Sequence, residues 1–327
     1  HYTAPPGIRE VRTALAAQSS KMTGVDFDTE DIIVHSGAKP SAFYTINGVV
    51  DPWDETIVFD PAWPIYASVT NYLGGTTKFI PLKEELGFQP DIEEVKAAIT
   101  DRTVLMVVNT PCNPTGGVFS DETLAALAKV AVDNDLWVLS DEIYDHIVFE
   151  GEHRSILNHP GMEDRTILLN GASKTYAMTG YRMGWSATKN KHMGYVIERI
   201  QTNDTSCPPS MNQLALKEAV SSKKTPAAVE EMRLEYLKRR DLIHGLVNDI
   251  PGLSANLPKG TFYLLANAKP LCEKLNCNSA ELADKIMREA HVLVLHGTSF
   301  GPHGEGFIRF SYVSSEEDIR EGARRIK

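Results

Sequence analysis

The chain has 327 residues, 42% of them hydrophobic, with 33 basic and 43 acidic side chains and a formal net charge of −10. This length allows a large core and two lobes, and the acidic balance argues against nucleic acid as a partner, because phosphate contacts need clustered Lys and Arg. No apolar run approaches the roughly 18 residues of a membrane span, and no signal peptide opens the chain. The four cysteines have neither CxxC nor zinc-ligand spacing. We therefore expect a reduced, cytoplasmic, soluble protein without a metal site.

The first predicted elements end in a strand, a small-residue turn and a helix. Apolar spacing predicts a helix over 8–18, a strand over 31–34 and a buried helix over 42–50. The turn before the last helix contains the sequence Gly37-Ala-Lys39. Such a turn can bind an anion, because the first N–H groups of a helix are unpaired and its dipole favours a phosphate. Taken alone, this pattern is more often only a turn.

The next strand, predicted over 56–59, ends shortly before Trp63. An aromatic side chain in this place either stacks on a flat heterocycle or packs in the core. A further strand over 78–81 and an amphipathic helix over 92–99, with Asp91 near its N-cap, follow.

A β-branched run over 103–108 predicts a strand that leads into a loop with two prolines and two glycines. These residues fix the shape of the loop and prevent a helix from continuing through it. The rigid loop presents the side-chain amide of Asn113 as a donor. An Asn-Pro pair in a turn is otherwise commonly structural.

A helix over 121–132 precedes a strand over 136–139, which is followed by Asp141 and Tyr144. The two side chains are three residues apart and share a face if the segment turns. An Asp-Glu pair after a strand is otherwise often a helix cap.

Lys174 follows a short buried strand over 166–169 that ends in Asn-Gly. A lysine in this place lies in the crevice at the carboxyl edge of an open α/β sheet. Burial and the nearby charge of Arg182 would both favour its neutral, nucleophilic form. An isolated lysine is otherwise usually solvated.

The strands alternate with helices, which predicts a mostly parallel, doubly wound sheet. Each strand ends close to one of the candidate side chains, so these side chains should meet in one crevice. The strands concerned are 31–34, 56–59, 103–108, 136–139 and 166–169.

The remainder of the chain predicts a smaller α+β lobe. Its predicted segments are an irregular link at 202–212, a long helix at 227–246, a strand pair within 252–266, a helix at 279–290 capped by Ser279, a strand at 292–295, and an alternating strand at 307–312 followed by a terminal helix. The last strand carries Arg309, whose guanidinium can bind a carboxylate through two parallel hydrogen bonds. An arginine on a strand is otherwise usually solvent-facing or paired with an acid.

Three strings resemble the class I and II aminotransferases, fold type I enzymes that use pyridoxal 5'-phosphate (PLP). They are Asn-Pro-Thr-Gly at 113–116, Asp-Glu-Ile-Tyr at 141–144, and Ser-Lys174 followed after five residues by Gly-Tyr-Arg-Met-Gly. The resemblance spans nearly the whole chain and is closest to the aspartate aminotransferase-like branch. It implies an α/β fold with a large PLP-binding domain at 1–225 and a smaller α+β domain at 226–327.

The resemblance also implies roles for the residues of the chemistry. Lys174 holds PLP as a Schiff base and, once freed, shuttles the substrate proton. Asp141 keeps the pyridine nitrogen protonated, Trp63 stacks on the ring, and Tyr144 and Asn113 hydrogen-bond its phenolate oxygen.

Further positions are implied to bind phosphate or substrate. The phosphate positions are Gly37, Ala38, Lys39, Ser173 and Arg182. Arg309 is implied to bind the substrate α-carboxylate, and Asn113, Lys39 and Trp63 to border the substrate. The family is typically a dimer with shared sites, which predicts a homodimer in which Tyr2 reaches the neighbouring subunit's phosphate.

Two features depart from the family pattern. Many relatives have a hydroxyl residue three positions before the cofactor lysine, where this chain has Gly171. The hydroxyl of Ser173 is directly next to Lys174 and so stands at a different position. The chain opens at His1, where the family has several tens of preceding residues, so we expect a missing N-terminal arm and low activity.

The resulting hypothesis is a ping-pong transamination between an L-amino acid and a 2-oxo acid. Lys39 favours a dicarboxylic donor such as aspartate or glutamate, since a lysine here meets the side-chain carboxylate in some aspartate-specific relatives. A phosphate-side or exposed lysine is the alternative. The shared scaffold leaves open a PLP-dependent C–S β-lyase or another synthase or lyase. A non-catalytic regulatory module is disfavoured, because it would not need Lys174, Asp141, Tyr144 and Arg309 together.

Overall fold

Two β-sheets organise the structure, a computed structural model that describes every residue from His1 to Lys327. The first seven strands form one sheet and the last four form the other. The strands are β1 (Ile32–His35), β2 (Glu55–Asp60), β3 (Thr76–Pro81), β4 (Thr103–Asn109), β5 (Trp137–Asp141), β6 (Thr166–Gly171), β7 (Gly184–Ala187), β8 (Ser254–Ala255), β9 (Tyr263–Asn267), β10 (Leu295–His296) and β11 (Phe307–Ser311).

Twelve α-helices accompany the sheets, and none is long and apolar enough to cross a membrane. They are α1 (Arg9–Thr23), α2 (Ala38–Val49), α3 (Ile65–Tyr72), α4 (Ile92–Ala98), α5 (Asp121–Asp133), α6 (Ala172–Thr175), α7 (Lys191–Asp204), α8 (Ser210–Ser221), α9 (Thr225–Asn248), α10 (Lys269–Leu275), α11 (Ser279–Lys285) and α12 (Glu316–Ile326). Local side chains set several ends. Asp91 caps α4 as predicted, by accepting a hydrogen bond from the Glu93 N–H at 3.0 Å.

The large sheet has the strand order β1-β7-β6-β5-β4-β2-β3. Strands β2 to β6 pair in parallel, whereas β7 runs antiparallel to both β1 and β6. Strands β1, β2, β6 and β7 are buried along their whole length, which explains their nearly continuous apolar or small-residue runs. The predicted mostly parallel α/β architecture is confirmed, and the carboxyl ends of six strands share one edge.

The small sheet is antiparallel throughout, in the order β10-β11-β9-β8. One apolar cluster joins it to helices α9 to α12 through Ile243, Cys272, Leu282 and Ile319. Full burial of such an apolar side chain contributes about 1.5–3 kcal/mol. The small sheet lies within 226–327 and the large sheet within 1–225, and the division between residues 225 and 226 stays a prediction.

Three local predictions are wrong in whole or in part. The irregular link predicted at 202–212 is confined to 205–209, because α7 continues to Asp204 and α8 begins at Ser210. Gln201 of α7 and Leu216 of α8 are buried. The helix predicted at 279–290 is capped by Asn278 rather than by Ser279 and turns π-helical after residue 285. The strand predicted at 292–295 is only two residues long and lies later, at Leu295–His296.

Candidate functional site

A cavity of about 380 Å³ opens at the carboxyl edge of the large sheet, where β11 of the small sheet contributes a side chain. Seven predicted residues line it: Ala38, Trp63, Asn113, Asp141, Tyr144, Lys174 and Arg309. The lining also includes residues that the sequence analysis did not single out: Pro64, Tyr66, Asn109, Ile143, Tyr263, Leu295, Ser299 and Phe300. The predicted convergence of the strand ends on one crevice is therefore observed.

Lys174 lies in the short helix α6, which begins as soon as β6 ends. Its Nζ is 5.3 Å from the ring centroid of Phe262 and 5.8 Å from that of Tyr144. Burial, and then the positive charges of Arg309 and Arg182, lower the pKa of its amine. A lowered pKa leaves more of the amine uncharged at neutral pH, so Lys174 is suited to nucleophilic attack and proton transfer.

Asp141, the last residue of β5, has a buried carboxyl group. Its Oδ2 accepts a hydrogen bond from the Tyr66 hydroxyl at 2.6 Å, and its Oδ1 accepts one from the Ile143 N–H at 3.2 Å. Burial raises the pKa of Asp141 to about 6, although these two hydrogen bonds act in the opposite direction. A cationic partner in the cavity would offset the cost of burying this charge.

Tyr66 is the main partner that the sequence analysis missed. It is fully buried on α3, and its ring packs edge to face against Trp63 with the centroids 5.6 Å apart. Tyr66 lies on α3 whereas Trp63 precedes the N-cap of that helix, Pro64, so no helical spacing rule in the sequence pairs the two side chains.

Arg309 and Asn113 form a direct link between the small and the large sheet. Nη1 of Arg309 donates to Oδ1 of Asn113 at 2.8 Å, and the backbone N–H of Asn113 donates to Oδ1 of Asn109 at 3.2 Å. This arrangement assigns the Asn113 amide, whose NH₂ group remains as a donor.

Two aromatic rings hold the guanidinium of Arg309. Its Cζ lies 4.2 Å from the ring centroid of Tyr263 and 4.5 Å from that of Phe300, and its buried Nε has no hydrogen-bond partner. Burial lowers the pKa of this arginine, although Tyr263 and Tyr144 act in the opposite direction. An arginine fixed in this way, with N–H groups to spare, is suited to bind a carboxylate.

Tyr144 is buried, and its hydroxyl donates to the Tyr263 hydroxyl at 3.2 Å. Burial raises the pKa of Tyr144 well above its ordinary value, so the phenol stays protonated. Tyr263 therefore contacts both Tyr144 and Arg309. The sequence placed it only in a strand pair.

The first turn of α2 lies against Arg182. Gly37 precedes this helix with a φ of 100°, a left-handed backbone that favours glycine. A Cβ at Gly37 would lie 2.5 Å from Nη2 of Arg182, and a Cβ at Gly184 would lie 2.5 Å from the backbone nitrogen of Ala38. Unpaired helix N–H groups, a guanidinium and small residues together are suited to bind an anion.

The remaining predicted residues do not line the cavity. Gly37 lies next to Ala38, which lines the cavity, and Arg182 lies against Gly37. Lys39 is exposed, and its Nζ is 5.6 Å from the ring centroid of Trp63. Ser173 is half-buried within α6. Tyr2 is 91% exposed.

Comparison with known proteins identifies similar chains over almost the whole length. The family model "Aminotransferase class I and II" matches residues 1–326. Aspartate/prephenate aminotransferase of Thermus thermophilus is 38% identical over 99% of this chain and 82% of its own, and aspartate aminotransferase of Pyrococcus abyssi is 34% identical over 100% and 83%. The crystal structure of an aromatic aminotransferase from Pyrococcus horikoshii superposes with a TM-score of 0.95 at 34% identity, over 100% of this chain and 86% of that chain.

Proposed function

The chain belongs to the class I and II aminotransferases, fold type I enzymes that depend on PLP, and on that premise we propose how its residues divide the work and which donor it prefers. The relatives named above are all aminotransferases, which favours transamination over the lyase and the non-catalytic alternatives. The observation that carries the proposal is the meeting of Lys174, Asp141 and Arg309 in one cavity.

The chemistry of the cavity fits PLP at three separate points. Lys174 offers an amine of lowered pKa, and Asp141 offers a buried carboxylate without a cationic partner. The first turn of α2 with Arg182 offers an anion site that a Cβ at Gly37 or Gly184 would fill. When bound, PLP supplies an aldehyde that condenses with amines and a ring that accepts electrons.

We assign the proton transfer to Nζ of Lys174, which accepts the proton of the substrate α-carbon as a neutral base. Asp141, held by Tyr66, keeps its negative charge where a protonated ring nitrogen compensates it. The NH₂ group of Asn113 is free to donate to an oxygen in the cavity. The Tyr144 hydroxyl can do the same once its proton turns away from the Tyr263 hydroxyl. Arg309 orients the substrate through its α-carboxylate, and Trp63 provides a flat apolar wall.

The favoured donor is a dicarboxylic amino acid such as aspartate or glutamate. Lys39 stands over Trp63 at the edge of the cavity and can meet a second carboxylate. Two of the three relatives above carry aspartate in their names. Aromatic amino acids are the second candidate, because Leu295 and Phe300 give the cavity an apolar side.

We also propose a homodimer located in the cytoplasm. Beside Arg182, the side chain of Tyr181 is exposed, and Asn212 donates to its carbonyl at 2.8 Å. Met211 and Leu214, on the same helix as Asn212, are also exposed, and exposed apolar side chains of this kind favour a contact between subunits. Tyr2 is free to reach a neighbouring subunit. The four unpaired cysteines agree with a reducing compartment.

The first experiment uses PLP-loaded protein and L-aspartate without any 2-oxo acid acceptor. We expect one equivalent of oxaloacetate per bound cofactor and a matching change in the cofactor's absorbance. A parallel reaction with L-phenylalanine tests the donor, and a faster reaction with phenylalanine contradicts the dicarboxylic preference. Release of pyruvate and ammonia from a cysteine conjugate would instead identify a β-lyase, and Lys174→Ala should abolish each of these reactions.

A further inference from the structure

Lys174 stands on a helical turn that has little support of its own. Helix α6 contains only four residues, and its N-cap, Gly171, offers no side-chain hydrogen bond. An isolated turn of this length is unstable, because one turn fixes several backbone dihedrals for very few hydrogen bonds. The position of Lys174 must therefore be set by contacts from outside the turn.

A single buried carboxylate supplies such contacts on both sides of Lys174. Oδ2 of Asp145 accepts a hydrogen bond from the Asn170 side-chain NH₂ at 2.9 Å, and Oδ1 accepts one from the Thr175 hydroxyl at 3.1 Å. Oδ1 of Asn170 in turn accepts from the Gly171 N–H at 2.7 Å. Asp145 thus ties the residue after Lys174 to the end of the strand before it.

The surroundings keep Asp145 ionised. Burial opposes the charge of this carboxyl, whose side chain is only 2% exposed, yet His146, His153 and Asn170 together bring its pKa below the usual value. His146 contributes both its backbone N–H at 2.8 Å and its Nδ1 at 2.7 Å. Hydrogen bonds to an ionised acceptor are roughly twice as strong as neutral ones, so the carboxylate is a firm anchor.

We propose that Asp145 is the positioning residue that holds Lys174 in register with the cavity. Asp145 does not line the cavity, so its effect on Lys174 passes through its neighbours, of which Asn170 and Thr175 lie on either side of Lys174 in the chain. The proposal rests on the role of Lys174 given under Proposed function. It predicts that loss of the Asp145 carboxylate impairs the steps that use the Lys174 amine, whereas substrate binding at Arg309 is unaffected.

Glu142 offers a matched control in the same segment. Its carboxylate is also buried and hydrogen-bonded, by Ser140 at 2.7 Å, by Ser155 at 2.6 Å and by Nε2 of His153 at 2.7 Å. None of these partners belongs to the segment 170–175. Glu142→Gln therefore removes a comparable buried charge without releasing the Lys174 turn.

The experiment compares Asp145→Asn, Thr175→Val and Glu142→Gln in the full chain. For each variant we would measure the midpoint of urea unfolding, the PLP dissociation constant, the pH at which the absorbance of bound cofactor changes, and kcat and KM separately. We expect Asp145→Asn to weaken PLP binding and lower kcat by about tenfold or more, with KM within about twofold and the absorbance midpoint shifted. Thr175→Val, which cuts one of the two ties, should show a smaller change of the same kind.

The double variant Asp145→Asn/Asn170→Asp provides a rescue, because it exchanges the carboxylate and the amide. The hydrogen bond between residues 145 and 170 can still form, and residue 170 can still accept from the Gly171 N–H. Recovery of PLP affinity in this variant supports the positioning role. Equal losses in Asp145→Asn and Glu142→Gln that follow the unfolding midpoint would overturn it. If Lys174→Ala still formed oxaloacetate, the proposed function itself would fail, an outcome that differs from a failure of the Asp145 proposal.

Discussion

The buried carboxyl group of Asp141 destabilises the cofactor-free protein. Its carboxyl group is buried and receives only two hydrogen bonds, from Tyr66 and the Ile143 N–H. Above the pKa of about 6 that burial produces, the cofactor-free fold has to hold an uncompensated negative charge. The proposed cationic partner, the ring nitrogen of PLP, would compensate this charge.

Replacement Asp141→Asn should therefore stabilise the cofactor-free protein while it damages the enzyme. The unfolded carboxyl ionises near 3.8 and the folded one near 6, so the cost of the charge develops as pH rises through this window and is complete above it. At pH 7.5 we expect a gain of about 3 kcal/mol in the free energy of unfolding, and a smaller gain at pH 5. Urea unfolding at both pH values measures the difference, and an equal gain at the two would contradict this account.

In the same variant, kcat should fall by about 100-fold or more, because the ring nitrogen loses its ionic partner. An Asn side chain is nearly isosteric. Its Oδ1 can accept from the Ile143 N–H while its NH₂ group donates to the Tyr66 hydroxyl oxygen, so misfolding is not an expected cause. A variant that kept its activity would remove Asp141 from the proposed chemistry.

Lys39 tests the choice of donor. If its ammonium meets the second carboxylate of the substrate, Lys39→Ala should raise KM for aspartate by about tenfold and leave KM for phenylalanine within about twofold. Lys39→Arg keeps the positive charge and should recover most of the aspartate affinity. Steady-state kinetics with both donors decides the matter, and equal effects on the two donors would argue for a phosphate-side or merely exposed lysine.

At the scale of elements, the anion site depends on how closely β7 approaches the start of α2. Gly184 opens β7, and a side chain there would collide with the backbone of Gly37 and Ala38 rather than with a movable side chain. Gly171, which closes β6, would bring a Cβ within 3.2 Å of the Ala38 Cβ. Position 171 thus has little room for a side chain with a hydroxyl group, because β6, β7 and the start of α2 pack closely there.

Gly184→Ala should push the first turn of α2 out of place. We expect PLP affinity to fall by about tenfold or more, together with a destabilisation of about 1–3 kcal/mol from overpacking. Gly245→Ala is the matched control, because Gly245 lies inside helix α9 with nothing within 4 Å of an added Cβ. That variant should gain about 0.5–1 kcal/mol of stability with unchanged PLP binding, as urea unfolding and a PLP titration would show.

The sequence predicted these elements well where a single local rule decides. Buried strands such as β2 and β6 appear as short apolar runs, and the candidate residues follow them directly. At 202–212 the middle of the segment, 205–209, is irregular as predicted, and the prediction fails at the two ends, where α7 continues to Asp204 and α8 begins at Ser210. Both helices are anchored from just outside this range: Gln201 donates to the Pro5 and Val34 carbonyls, and Gln213 accepts from the Ile8 N–H. Local composition does not report such long-range contacts.

At the scale of the whole molecule, the site depends on contacts between the two sheets. Asp60 at the end of β2 accepts hydrogen bonds from the backbone and from Nδ1 of His303, and the Ala62 N–H donates to the Phe300 carbonyl at 2.8 Å. These contacts fix the segment that carries Ser299 and Phe300 over the cavity. No motif in the sequence relates positions as far apart as Tyr144 and Tyr263 or Ala62 and Phe300, which is why Tyr263 and Phe300 escaped prediction. Arg309 did not, because the family resemblance implied its role.

His303→Ala tests this connection between the sheets. Removal of the imidazole leaves the buried Asp60 carboxylate with the backbone N–H of residue 303 as its remaining donor from this segment, which should cost about 1–3 kcal/mol. Because the segment also holds Phe300 against Arg309, we expect KM for the amino acid to rise several-fold. Urea unfolding and steady-state kinetics measure the two effects.

The control is His244→Ala, because His244 pairs at 3.1 Å with the Ala255 carbonyl inside the small lobe and has no contact with the cavity. It should lose stability without a change in KM. A double-mutant cycle with Asp60→Asn then isolates the pair: burial raises the pKa of Asp60 and His303 opposes this effect, so the two substitutions should be coupled by about 1 kcal/mol. Strictly additive effects would mean that the lobes are held together by the backbone bonds and Arg309 alone, and that His303 is only a surface neighbour of Asp60.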